Sequence, residues 1–98
     1  MIRITLIAQT PQETTLKIEG RLGGQAVELL AEEGAQYRGP KRRLILDLDG
    51  VSFIDQAGLD LLRDWRGPGL VLQGGSTFAR MLMRAHRLIE EDLGAGPT

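Results

Sequence analysis

Ninety-eight residues allow one small domain whose core is only just self-sufficient, so a surface site is expected in preference to an enclosed ligand cavity. A formal net charge of −1 argues against a nucleic-acid binder that works by neutralising phosphates. The absence of cysteine excludes both a disulfide framework and a thiolate metal site.

Along the chain, Ile2, Ile4, Leu6 and Ala8 alternate with Arg3 and Thr5. After Gln9-Thr10-Pro11-Gln12 the alternation resumes with Leu16 and Ile18 against Lys17 and Glu19. This period of two predicts an antiparallel hairpin with one wet face. The opening segment is too short and too alternating for a signal peptide, and no apolar run approaches the roughly 20 residues that span a bilayer. A cytoplasmic protein without membrane insertion is therefore expected.

Glycines from Gly20 to Gly24 are read as breaking the second strand. Ala26, Val27, Leu29, Leu30 and Ala31 then form a helical stripe up to Gly34, and Gly39-Pro40 stops the helix. Lys41-Arg42-Arg43 is the one basic run and reads as a solvated approach to a strand. Leu44 to Leu48 is nearly continuous in apolar residues, as expected of a strand covered on both faces.

A helix from about Gln56 to Arg66 is predicted to bury Leu59, Leu62 and Trp65 and to end at Gly67-Pro68-Gly69. Leu70-Val71-Leu72-Gln73 reads as a short strand. The last helix is expected to carry Phe78, Met81, Leu82, Ala85 and Leu88 on its apolar face. Glu90 to Gly94 leaves room for a turn. The expected organisation is a single domain over 1–93 with a flexible tail at 94–98. Strands separated by helices pair in parallel. The fold class expected is thus α/β: a mixed sheet of about four strands, with an antiparallel amino-terminal hairpin and about three helices.

The stretch Leu44-Ile45-Leu46-Asp47-Leu48, followed by a short loop and Asp55-Gln56-Ala57-Gly58-Leu59, resembles the signature of the STAS domain. In the anti-sigma-factor antagonists of that family, an apolar strand leads through a short loop to Asp-Ser-Ser-Gly-Leu. Leu16 to Leu22 is similar to the family's second strand, and Leu70 to Gly74 to a later one. The resemblance covers most of the chain and implies a STAS-like fold. Ala57 stands at the position equivalent to the phosphoacceptor serine and cannot be phosphorylated. Gly23 stands where relatives commonly carry an acidic residue, and the family's further carboxy-terminal strand and helix have no counterpart. At Ser52 the resemblance implies a buried loop hydroxyl, which disfavours its phosphorylation.

Asp55, directly before a helix, has the chemistry of an N-cap. Gly58 costs helix propensity, so it marks a close approach, either of a docking partner or of the neighbouring strand. Gly74-Gly75-Ser76-Thr77 lacks a P-loop ending and reads as a turn with an N-cap hydroxyl. Asp47, Asp49 and Asp55 lie near the end of the central strand, where ligands collect in parallel sheets, but short Asp-rich loops more simply cap turns. His86, flanked by Arg84 and Arg87, is expected at the surface and is no metal site alone. Neither a nucleophile with its base nor a facing carboxylate pair stands out, so no catalytic residue, metal or cofactor is expected.

The resemblance then implies a non-enzymatic interaction module. Its partner-binding residues would be Gly23, Gly24, Asp55, Gln56, Ala57, Gly58 and Leu59, and its partner a kinase-type anti-sigma factor. The alternative is a STAS accessory subunit of an ABC-type lipid transport system, which would bind the transporter's ATPase.

Overall fold

The structure, a computed structural model, describes residues 2–67 and 69–89. The turn expected at 90–94 and the tail at 94–98 lie outside the described residues. The elements are β1 (Ile2–Gln9), β2 (Glu13–Leu22), α1 (Gln25–Ala35), β3 (Arg43–Ile54), α2 (Gln56–Trp65), β4 (Leu70–Gln73) and α3 (Thr77–Ala85). They form a four-stranded mixed sheet of order β1-β2-β3-β4, in which only β1 and β2 pair antiparallel. This is the α/β class that the alternation and the strand–helix order predict.

The hairpin closes because Thr10 supplies both backbone and side-chain partners. Its N–H donates to the Glu13 carbonyl at 2.7 Å, while its Oγ1 accepts from the Glu13 N–H at 3.0 Å. Both parallel crossovers step the same way across the sheet, so right-handed connections put α1 and α2 on one face. Gly34 on α1 fits against the Trp65 ring of α2, and any Cβ there would overlap the indole. The glycine inside the helix, unfavourable by propensity, allows the two helices to pack this closely.

The register fixes which side chains meet the helices. Ile4 pairs with Ile18, Leu6 and Leu46 with Leu16, and Leu72 with Leu46, so these residues share one face. Leu16, Ile18, Leu44, Leu46 and Leu48 are buried there with Leu30, Leu62 and Met83 of the three helices. The expectation of cover on both faces of β3 is corrected. Ile45 and Asp47 point to the opposite face and are only half-buried, so four apolar residues in five do not by themselves distinguish one covered face from two. β1 is an edge strand, and Leu6 and Ile7 are exposed where a bulge shifts its register.

Three further expectations are revised. β2 does not break at Gly20 but runs on to Leu22, with Gly20 at φ 103° inside it. β3 likewise runs through the segment read as a loop, because Gly50 and Val51 pair with Glu19 and Gly20 after a register shift. A Cβ on Gly50 would lie 2.7 Å from Glu19 Cγ, so the glycine accommodates the irregular pairing. In α3, Ala79 and Met83 face the core, whereas Phe78 and Met81 are exposed. Two stripes, one residue out of phase, both satisfy i, i+3, i+4 in this sequence. Leu88 is buried, but beyond the helix, after Arg87 adopts a positive φ.

Candidate functional site

β3 delivers the chain from Ile54 into Asp55, which is extended at φ −94° and ψ −177° and caps α2. Its Oδ1 accepts from the Gly58 N–H at 2.8 Å, as an N-cap carboxylate should. Its Oδ2 reaches across 31 positions of sequence to accept from the Gly24 N–H at 3.0 Å. The Asp55 N–H in turn donates to the Leu22 carbonyl at 3.1 Å. One side chain and one backbone group therefore join the loop entering α1 to the turn entering α2.

Glycines make this junction sterically feasible. A Cβ at Gly23 would lie 2.8 Å from Asp55 Oδ2, so any side chain there would displace the carboxylate oxygen that holds the Gly24 N–H. Gly24, at φ 58° and ψ −131°, is the N-cap of α1 and has no side chain to cap with. Its own N–H is instead held by Asp55. At Gly58 a Cβ would stand 2.7 Å from the Leu22 carbonyl oxygen, which resolves the two readings of that glycine in favour of close packing against β2.

Gln56 and Ala57 project from this junction and are exposed, beside exposed Gly24 and Gln25. Gln56 Nε2 donates to Asp60 Oδ1 at 2.9 Å, which holds the amide along the helix. Gly58 and Leu59 are buried beneath them and support the turn. The seven residues singled out in the sequence are thus brought together, five with surface and two as its underside. Sequence reading missed Arg21, whose guanidinium lies 4.4 Å from the centre of the Phe53 ring at the same end of the sheet. Only the cross-strand register, which pairs Arg21 with Phe53, could have found it.

Hydrogen bonds from the Gly58 and then the Gly24 N–H hold the Asp55 carboxyl below the ordinary aspartate range, against a smaller opposing effect of desolvation. A depressed native pKa stabilises the fold fully above the unfolded value, near 4, and the contribution is lost as pH falls through the native value. Asp55→Ala removes the N-cap of α2 and should melt several degrees below wild type at pH 7. The gap should narrow as pH falls below the unfolded value, near 4, as followed by thermal melts monitored by circular dichroism.

The other two aspartates do not join Asp55. Asp47 Oδ1 accepts from the Asp49 N–H at 3.0 Å, and Asp49 Oδ1 from the Gly75 N–H at 2.9 Å, so the pair braces the loop between β4 and α3. Ser76 caps α3 through the Ala79 N–H at 3.1 Å. Among the described residues no group of three or more His, Asp or Glu side chains is placed to hold a metal. Ser52 is exposed and not buried; its Oγ donates to the Gly20 carbonyl at 3.3 Å, because β3 extends through it as a strand. His86 is half-buried, and Arg63 Nη2 donates to its Nδ1 at 3.1 Å, linking α2 to the end of α3. No helix among the described residues is long and apolar enough to cross a membrane. No family model matches the chain, and no curated protein matches it.

Proposed function

We propose that the chain is a non-enzymatic STAS-type interaction module, resembling an anti-sigma-factor antagonist, that binds a partner ATPase or kinase in the cytoplasm. The docking surface comprises residues 22–25 and 54–59. The observation that carries this reading is the Asp55 carboxylate bonded to both Gly24 and Gly58, which makes two loops distant in sequence into one preorganised exposed surface. Preorganisation lowers the ordering cost of association.

Ala57 sits exposed in the first turn of α2, where a phosphate would be electrostatically welcome but has no hydroxyl to attach to. Binding is therefore constitutive, since the methyl group mimics the unmodified serine of phosphorylatable relatives. The same surface could serve an ABC-transporter ATPase, and the partner's identity separates the two readings.

Capture of partners from native cytoplasm on immobilised protein, with Ala57→Asp in parallel, tests the proposal. An acid in the first turn suits the helix dipole, so the variant should fold. Its charge should cut recovery of the partner at least about tenfold. A kinase-type anti-sigma protein on the wild-type bait alone supports antagonism, and a transporter ATPase supports the accessory-subunit reading. Identical recovery on both baits would exclude this turn as the interface.

A further inference from the structure

Five of the twelve basic residues collect at the end of the sheet opposite the Asp55 turn. They are Arg38 after α1, Lys41, Arg42 and Arg43 on the approach to β3, and Arg66 after α2. The run that reads as a uniform solvated stretch splits three ways. Lys41 is exposed on a backbone at φ 67°, and Arg43 pairs with Glu13 at 3.5 Å. Arg42 is half-buried and lines a cavity of about 250 Å³ between the α1–β3 and α2–β4 connections.

Arg38, Arg66 and Trp65 complete the side-chain wall of that cavity, and among its described lining residues there is no carboxylate. Two of the three guanidiniums, though on exposed residues, make one contact each. Arg38 lies 5.1 Å from the centre of the Trp65 ring, and Arg66 Nη1 donates to the Arg87 carbonyl at 3.0 Å. Gly69 brings the far wall close, since a Cβ there would stand 3.0 Å from the Arg42 carbonyl.

We propose that this cavity binds a phosphate-bearing anion, either free or carried on a lipid headgroup. Three like charges around one concavity repel one another, and an anion between them removes that repulsion. The guanidinium fork offers paired N–H donors that match phosphate oxygens. Trp65 is only 8% exposed and is roofed by Arg38, so no aromatic face remains for stacking a base. Recognition is of the charged group. The inference does not depend on the docking surface, which lies at the other end of β3.

Inorganic pyrophosphate titrated into ¹⁵N-labelled protein in phosphate-free, low-salt buffer is expected to give saturable shifts confined to the amides of residues 38, 39, 41–43, 65–67 and 69. Arg42→Gln with Arg66→Gln should weaken binding about twenty-five-fold, near fivefold for each charge, whereas Arg3→Gln on β1 should change it less than about twofold. The second arm is sedimentation with phosphatidylglycerol vesicles, against phosphatidylcholine alone. Vesicle binding lost in the double variant, without saturable pyrophosphate binding, assigns the headgroup; saturable pyrophosphate binding lost in the double variant assigns a free phosphate. Should the double variant melt early, Arg42→Lys with Arg66→Lys keeps the charge but loses the fork, and should still weaken pyrophosphate binding. Absence of binding in both arms, or equal loss in Arg3→Gln, would overturn the proposal.

Discussion

Leu46→Ala should destabilise the fold by about 3–5 kcal/mol. Leu46 is fully buried in the first half of β3, paired with Leu16 of β2 on one side and Leu72 of β4 on the other. Truncation removes the transfer free energy of the side chain. It also leaves a cavity that neighbours held by two backbone ladders cannot collapse to fill. A domain of this size has a total stability of roughly 5–15 kcal/mol, so the loss is a large fraction of the whole. Thermal unfolding should fall by about 12 °C or more, and urea unfolding should show a lower midpoint at an unchanged slope. A drop under about 1 kcal/mol would mean that β3 is not the packed centre of the sheet.

Gly58→Val should cost less than Leu46→Ala but should act locally on the candidate site. The first added atom would lie 2.7 Å from the Leu22 carbonyl oxygen, 3.0 Å from Ile54 Cγ2 and 3.2 Å from Leu22 Cγ. The nearest of these is backbone, which cannot rotate aside as a flexible side-chain tip would. Either α2 moves outward or β2 bends, and both movements separate Asp55 from Gly24. Overpacking of this kind costs about 1–3 kcal/mol, only partly offset by the roughly 0.5–1 kcal/mol that a non-glycine residue gains in a helix. The valine, being branched, belongs at the upper end of the cost. Hydrogen exchange should also accelerate at the Gly24 amide, whose bond to Asp55 depends on that spacing. Unchanged stability together with unchanged exchange at Gly24 would contradict the close approach of α2 to β2.

The order of elements along the chain and the fold class were legible because period-two alternation and helix-length stripes are local signals. Non-local ones were not. Gly20 reads as a break and the segment after Leu48 as a loop, yet both strands continue by shifting register against each other, which needs both strands in view. The apolar face of α3 was ambiguous because Phe78/Met81 and Ala79/Met83 fit the same spacing, and only packing against β3 selects the second. At the site, the capping role of Asp55 could be read from its place before a helix. Its second bond to Gly24 could not, and the steric reason for Gly23 follows from that bond alone. The arginine-lined cavity was hidden for the same reason: Arg38, Arg42 and Arg66 come from three places in the chain, brought together by two connections at one end of the sheet.

The central claim is that the loop at 22–25 and the turn at 54–59 act as one docking surface. Amide hydrogen exchange on the protein alone and with the captured partner tests it most directly. Slowed exchange at residues 24–26 and 56–59 together, absent when Ala57→Asp replaces wild type, is the predicted result. Protection confined to the open face of the sheet or to α3, with both loops exchanging as in the free protein, would contradict it.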